Sequence, residues 1–110
     1  MAELVIPDAA AEELEELAAR ADEWFPDSDA GLAVKTKIVR ELRRAANTPL
    51  NRGRHRGDTG GQTIYVNSHG HYWTLSTYDP ATDLFILHRT IYNGDRPKPP
   101  TRADLRDASF

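Results

Sequence analysis

The stretch "TIYVNSHGHYWTLSTYDPATDLFILHRTIYN" (residues 63–93) decides the fold. It is rich in β-branched and aromatic residues, and two polar or glycine-bearing breaks divide it. The breaks are Ser68-His69-Gly70, read as a tight hairpin turn, and Asp79–Asp83, read as a second turn. Three consecutive strands are expected, over 63–67, 71–78 and 84–92, paired as an antiparallel meander. Alternation along the last strand puts Phe85, Leu87, Arg89 and Ile91 on one face and Leu84, Ile86, His88, Thr90 and Tyr92 on the other. Ile64, Val66, Trp73, Leu75, Phe85 and Leu87 are assigned to the helix-covered side. His88 and Tyr92 then project from the open face, near Tyr65 and Tyr72, and Arg89 lies on the opposite side unless the strand end twists or bulges.

The N-terminal half reads as helix. "ELVI" (3–6) is a short first strand, ended by Pro7, and Asp8 is a candidate N-cap. Residues 9–25 place Leu14, Leu17, Ala18, Ala21 and Trp24 or Phe25 on one stripe at helical spacing. Glu12, Glu13, Glu15 and Glu16 read as a solvated face in the half of the helix that its dipole favours for acids. A second helix is expected over 32–46, burying Val34, Ile38, Leu42 and Ala45, with Ser28 or Asp29 to cap it. Pro49 and the glycines of "NTPLNRGRHRGDTGGQ" (47–62) mark a loop. The fold class is therefore α+β: a short N-terminal strand, a two-helix hairpin and a three-stranded antiparallel meander, with helices over one sheet face. Residues 1–93 form a single domain, and 94–110, with three prolines in four positions, a Pro-rich C-terminal tail with a short helical turn at 102–108.

Charge is unevenly spread. The net charge of −3 over 110 residues conceals ten acids and one base in residues 1–34, then eight bases and one acid in residues 35–56. Such a division provides a local anion-binding surface, or two elements that pair with each other. With no cysteine there is neither a disulfide nor a thiolate metal site. No apolar run approaches the ~20 residues of a membrane span, and the start of the chain does not read as a signal peptide. A cytoplasmic protein without a membrane partner is expected.

The strand end carries the candidate chemistry. His88 titrates near neutrality and suits general acid–base work. Arg89, or the arginines Arg52, Arg54 and Arg56, can hold a phosphate by forked hydrogen bonds. Tyr92 and Tyr72 can stack a base or orient a hydroxyl. Each also has a plain structural reading, which for Arg89 is an ion pair to the acidic first helix. His69-Gly70-His71 lacks the geometry and the neighbouring carboxylate of a metal site. No phosphate-binding glycine loop and no hydrolase triad is present, and no cofactor is expected.

The opening "ELVIPDAAAEELEEL", the helical hairpin, the basic stretch after "AANTPLNRGRHRG", the meander and the final apolar run before His-Arg-x-x-Tyr together resemble the RelE/ParE superfamily of bacterial toxins, over about residues 3 to 93. The resemblance implies the toxin of a type II toxin–antitoxin system and a cognate antitoxin. Acting as a ribosome-dependent mRNA endoribonuclease, it would use His88, Arg89 and Tyr92 as catalytic residues and Arg52, Arg54, Arg56 and Tyr72 to bind substrate. Acting as a ParE-type toxin, it would bind DNA gyrase. A degenerate member would serve only as an interaction module. Asn67 and Trp73 stand where many ribonuclease members carry arginines beside the central Gly-x-Tyr, here Gly70 and Tyr72.

Overall fold

A computed structural model describes residues 2–48, 54–59 and 62–94, with side chains for 2–48 and 64–94. The elements run β1 (Glu3–Val5), α1 (Asp8–Trp24), α2 (Ala30–Asn47), β2 (Arg54–Thr59), β3 (Gln62–His69), β4 (Tyr72–Asp79) and β5 (Leu84–Tyr92). The α+β order of short strand, helical hairpin and meander is as expected. The sheet has five strands in the order β1-β5-β4-β3-β2. β2 to β5 are antiparallel neighbours, and β1 pairs in parallel with residues Leu84 to Ile86 of β5.

Two strand readings need correction. The glycine-rich segment taken as loop contains β2, so the meander has four strands. Its composition disfavours a strand, but β3 offers an open edge and pairing with it overrides weak local propensity. The β3–β4 turn is Gly70-His71 rather than Ser68-His69-Gly70, because β3 continues through His69. Gly70 takes φ +74, a conformation suited to glycine in a two-residue hairpin.

The helices follow their stripes. Leu14, Leu17, Ala18 and Ala21 of α1 are buried with Ile38, Leu42, Ala45 and Ala46 of α2. Val34 is only partly buried, and Trp24 and Phe25 stand 47% and 62% exposed at the end of α1 rather than in its stripe. Asp8 is the first helical residue, with Pro7 at the cap position. Asp29 caps α2 with left-handed backbone and no side-chain bond. Instead Asp22 of α1 reaches across, its Oδ1 accepting the Gly31 N–H at 2.8 Å and so satisfying one orphan donor of the α2 first turn. The helices meet tightly here: a Cβ on Gly31 would lie 2.4 Å from the Ala18 carbonyl oxygen.

The assignment of sheet faces also needs correction. The helices pack on Phe85 and Leu87, as expected, but with Tyr65, Tyr72, Tyr78 and Tyr92. Val66, Trp73 and Leu75 form a separate cluster with Ile91 on the other face, and Leu75 has no exposed surface. β4 is buried on both faces over Tyr72 to Thr77, so alternation offers no polar side to orient it. A bulge completes the inversion. Leu75 pairs with Arg89 but Ser76 pairs with Leu87, leaving His88 as the extra residue on β5. Beyond it the strand's parity reverses, so Tyr92 joins Phe85 and Leu87 on the helix side.

Candidate functional site

The bulge sends the three residues of the β5 end in different directions. His88 is half-buried and its Nε2 lies 2.7 Å from the Thr77 Oγ1. Thr77 pairs with Ile64 and Ile86, in the row that alternates away from Phe85 and Leu87, so this imidazole belongs to the face turned from the helices. Arg89 turns around the sheet edge instead. β1 covers β5 only as far as Ile86, which leaves the backbone beyond it open on that side. Glu13 of α1 fills the gap: Oε1 accepts the Thr90 N–H at 2.6 Å, and Oε2 accepts the Arg89 Nε–H at 3.0 Å. Arg89 therefore takes its plain reading, the ion pair to the acidic first helix, and Glu13 is no part of a solvated face.

Tyr92 is a packing residue. Its ring centroid lies 5.2 Å from that of Tyr72 and 5.0 Å from that of Trp24. Tyr72 is buried, and burial followed by the neighbouring Tyr92 raises its phenol above the ordinary value. His88 and Tyr92 thus stand on opposite faces rather than together on the open face, where alternation alone places them. Thr90 sits between Arg89 and the tyrosine cluster with its hydroxyl buried and without a hydrogen-bond partner among the described residues.

The expected substrate-binding arginines are placed only by backbone. Arg54 is in register with Val66, Val66 with Leu75, and Leu75 with Arg89, a row running across four strands. At about 4.8 Å per strand, the Arg54 Cα lies roughly 14 Å from that of Arg89. Arg56 is the extra residue of a second bulge, between His55 and Gly57. Arg52 lies outside the described residues, as do the side chains of Arg54 and Arg56 and the expected helical turn at 102–108.

A buried polar chain that the sequence did not suggest joins α2 to the sheet. His69, 4% exposed, places Nδ1 2.9 Å from the Glu41 Oε1 and Nε2 2.7 Å from the Thr74 Oγ1. A carboxylate can only accept, so Nδ1 carries the proton and Nε2 accepts from the threonine hydroxyl. Burial lowers the imidazole's pKa below its ordinary value against the opposing pull of Glu41, and Lys37 adds to the lowering, so His69 is neutral at pH 7. The sequence Glu–His–hydroxyl has the form of a nucleophile-activating chain, but Thr74 has no exposed surface and no substrate reaches it. The chain is a structural tie. A polar cleft of about 240 Å³ adjoins it, lined by Glu41, Arg44, Thr48, Asn67, Ser68 and His69.

One signal would have found both glutamates. Glu13 follows buried Ala10 by three residues and precedes buried Leu17 by four, and Glu41 stands in the same relation to Ile38 and Ala45. An acid flanking a buried stripe at those spacings is aimed at the sheet rather than at solvent.

The division of charge is not cancelled by pairing between the helices. Lys35 and Glu15 form an ion pair across the hairpin. Arg40, Arg43 and Arg44 are exposed and make no ion pair among the described residues. Among those residues there is no group of three His, Asp or Glu side chains placed to hold a metal, and no helix is long and apolar enough to cross a membrane. Comparison with protein-family models, with curated proteins and with solved structures yields no match.

Proposed function

We propose that this chain is a toxin of the RelE/ParE type that acts by binding a protein target, as the ParE branch binds DNA gyrase, rather than by cutting mRNA. The observation that carries the choice is the commitment of Arg89 to Glu13 and of Tyr92 to Trp24 and Tyr72, on a different face from His88. General acid–base cleavage of RNA needs a proton donor, an acceptor and a phosphate clamp within a few ångströms of one scissile bond. The described side chains do not supply that cluster. The exposed cations of α2, which make no ion pair among the described residues, supply charge for recognition instead. The element order and the motifs quoted above support the toxin reading, which carries with it a cognate antitoxin and a cytoplasmic site of action. No cofactor enters this reading.

The nuclease reading keeps one observation in its favour. His88 stands on the face away from the helices, on the strand that begins the row leading to Arg54. Two assays on the purified full chain separate the readings. Inhibition of gyrase supercoiling with intact mRNA in a cell-free translation mixture is the expected result. New mRNA 5′ ends within codons, mapped by primer extension and lost in His88→Ala, would establish the nuclease and overturn the binding reading.

A further inference from the structure

The outer face of the helical hairpin is divided by charge along its length. Asp8, Glu12 and Glu16 on α1 are exposed beside a shallow groove with Ala11 in its floor. Arg40 and Arg43 on α2 are exposed beside a second groove of about 400 Å³, floored by Leu32 and Val39. Leu32 is 64% exposed. The Glu15–Lys35 pair bridges the two walls, so the grooves lie on either side of one seam. That pair and the Asp22–Gly31 contact fix the antiparallel register, in which Glu12 lies level with residues 38–41 and Asp8 with residues 42–45.

We infer that this face pairs with a second copy of the chain about a two-fold axis parallel to the helices. That operation lays α1 of each copy over α2 of the other. Asp8 and Glu12 of one copy then face Arg43 and Arg40 of the second, twice over, and Leu32 and Val39 are covered on both sides. A two-fold axis across the helices would instead stack acid on acid and base on base. A two-fold interface requires one self-complementary patch, and an acidic helix beside a basic one provides it. The helices of 17 and 18 residues are about 26 Å long and together about 20 Å wide, giving roughly 500 Å² a side. The total of ~1,000 Å² is at the low end of specific interfaces, so the dimer is weak and depends on salt.

Sedimentation equilibrium of the full chain tests this. Reversible dimerisation in the micromolar range is expected at ~0.05 M salt, weakening at least tenfold at ~0.5 M as the charges are screened. R40E/R43E and D8K/E12K variants are each expected to be folded monomers by circular dichroism. An equimolar mixture of the two is expected to dimerise, because both inter-copy contacts become complementary again. The salt series on the unmodified chain stands without any substitution. A chain that stays monomeric up to about 300 μM at low salt, far above the dissociation constants typical of specific pairs, would overturn the inference, as would variants that dimerise as well as the parent or a mixture that stays monomeric. Binding of an acidic amphipathic peptide to a chain that is itself monomeric would likewise overturn it, and would give the α2 groove a different occupant.

Discussion

Glu13 and Arg89 are 76 residues apart in the chain and 3.0 Å apart in the fold, where the same carboxylate takes the Thr90 N–H. An exposed strand edge invites pairing with another chain, and a carboxylate placed on it closes that route. The stability cost of substitutions is expected to rank by what each leaves unmet. Glu13→Ala abandons a backbone donor and a guanidinium and costs about 1–3 kcal/mol. Glu13→Gln keeps an acceptor for Thr90 and costs less. Arg89→Met removes only a partly exposed ion pair, about 0.2–1 kcal/mol. Urea unfolding of the three variants checks the order, and a larger loss for Arg89→Met than for Glu13→Ala would refute this account of the edge.

The neighbouring Thr90 hydroxyl is buried and unbonded among the described residues. Replacing it with an apolar group of similar shape removes a desolvated donor and acceptor at little cost in packing. Thr90→Val is expected to stabilise the fold by up to about 1 kcal/mol, whereas Thr90→Ser, which keeps the hydroxyl and loses the methyl, destabilises it. Thermal melts of both, read as opposite shifts in Tm, provide the check.

His69 makes stability depend on pH. Its folded-state pKa lies below the ordinary 6.5, so on acidification the unfolded chain takes up the proton first. The contribution of this group is complete above about pH 6.5 and is lost as pH falls from there towards the folded pKa. The groups facing the ring are Glu41, whose bond and charge oppose the lowering, and Lys37, which assists it. The urea midpoint of the parent is expected to fall between pH 7.5 and 5.5 by more than that of His69→Gln. Equal falls would show that this imidazole is not the group responsible.

Gly31 sets packing against propensity. Within a helix, Gly→Ala ordinarily gains about 1 kcal/mol. Here the added Cβ would lie 2.4 Å from the Ala18 carbonyl and 2.6 Å from the Asp22 Oδ2. The helices must part or the Asp22–Gly31 bond must break. Gly31→Ala is expected to lose roughly 1–3 kcal/mol, measured by chemical denaturation. A gain would mean that the hairpin can open without penalty.

Local signals in the sequence place both helices, β1, β3, β4 and β5 to within two residues and in their observed order. Helical stripes and turn residues are local signals, and in the helices only one side is apolar, so the periodicity has a single solution. The sequence also located the charge division. The structure decided β2, whose glycine-rich residues become a strand by pairing with β3. It also decided which face of the sheet meets the helices. β4 is buried on both sides and fits either way up, and the extra residue at His88 reverses parity within one strand. That single bulge separates His88 from Tyr92. The spacing beside the buried stripes marks Glu13 and Glu41 in the sequence, but their partners, the β5 edge and His69, come from the fold, because they are 76 and 28 residues away along the chain.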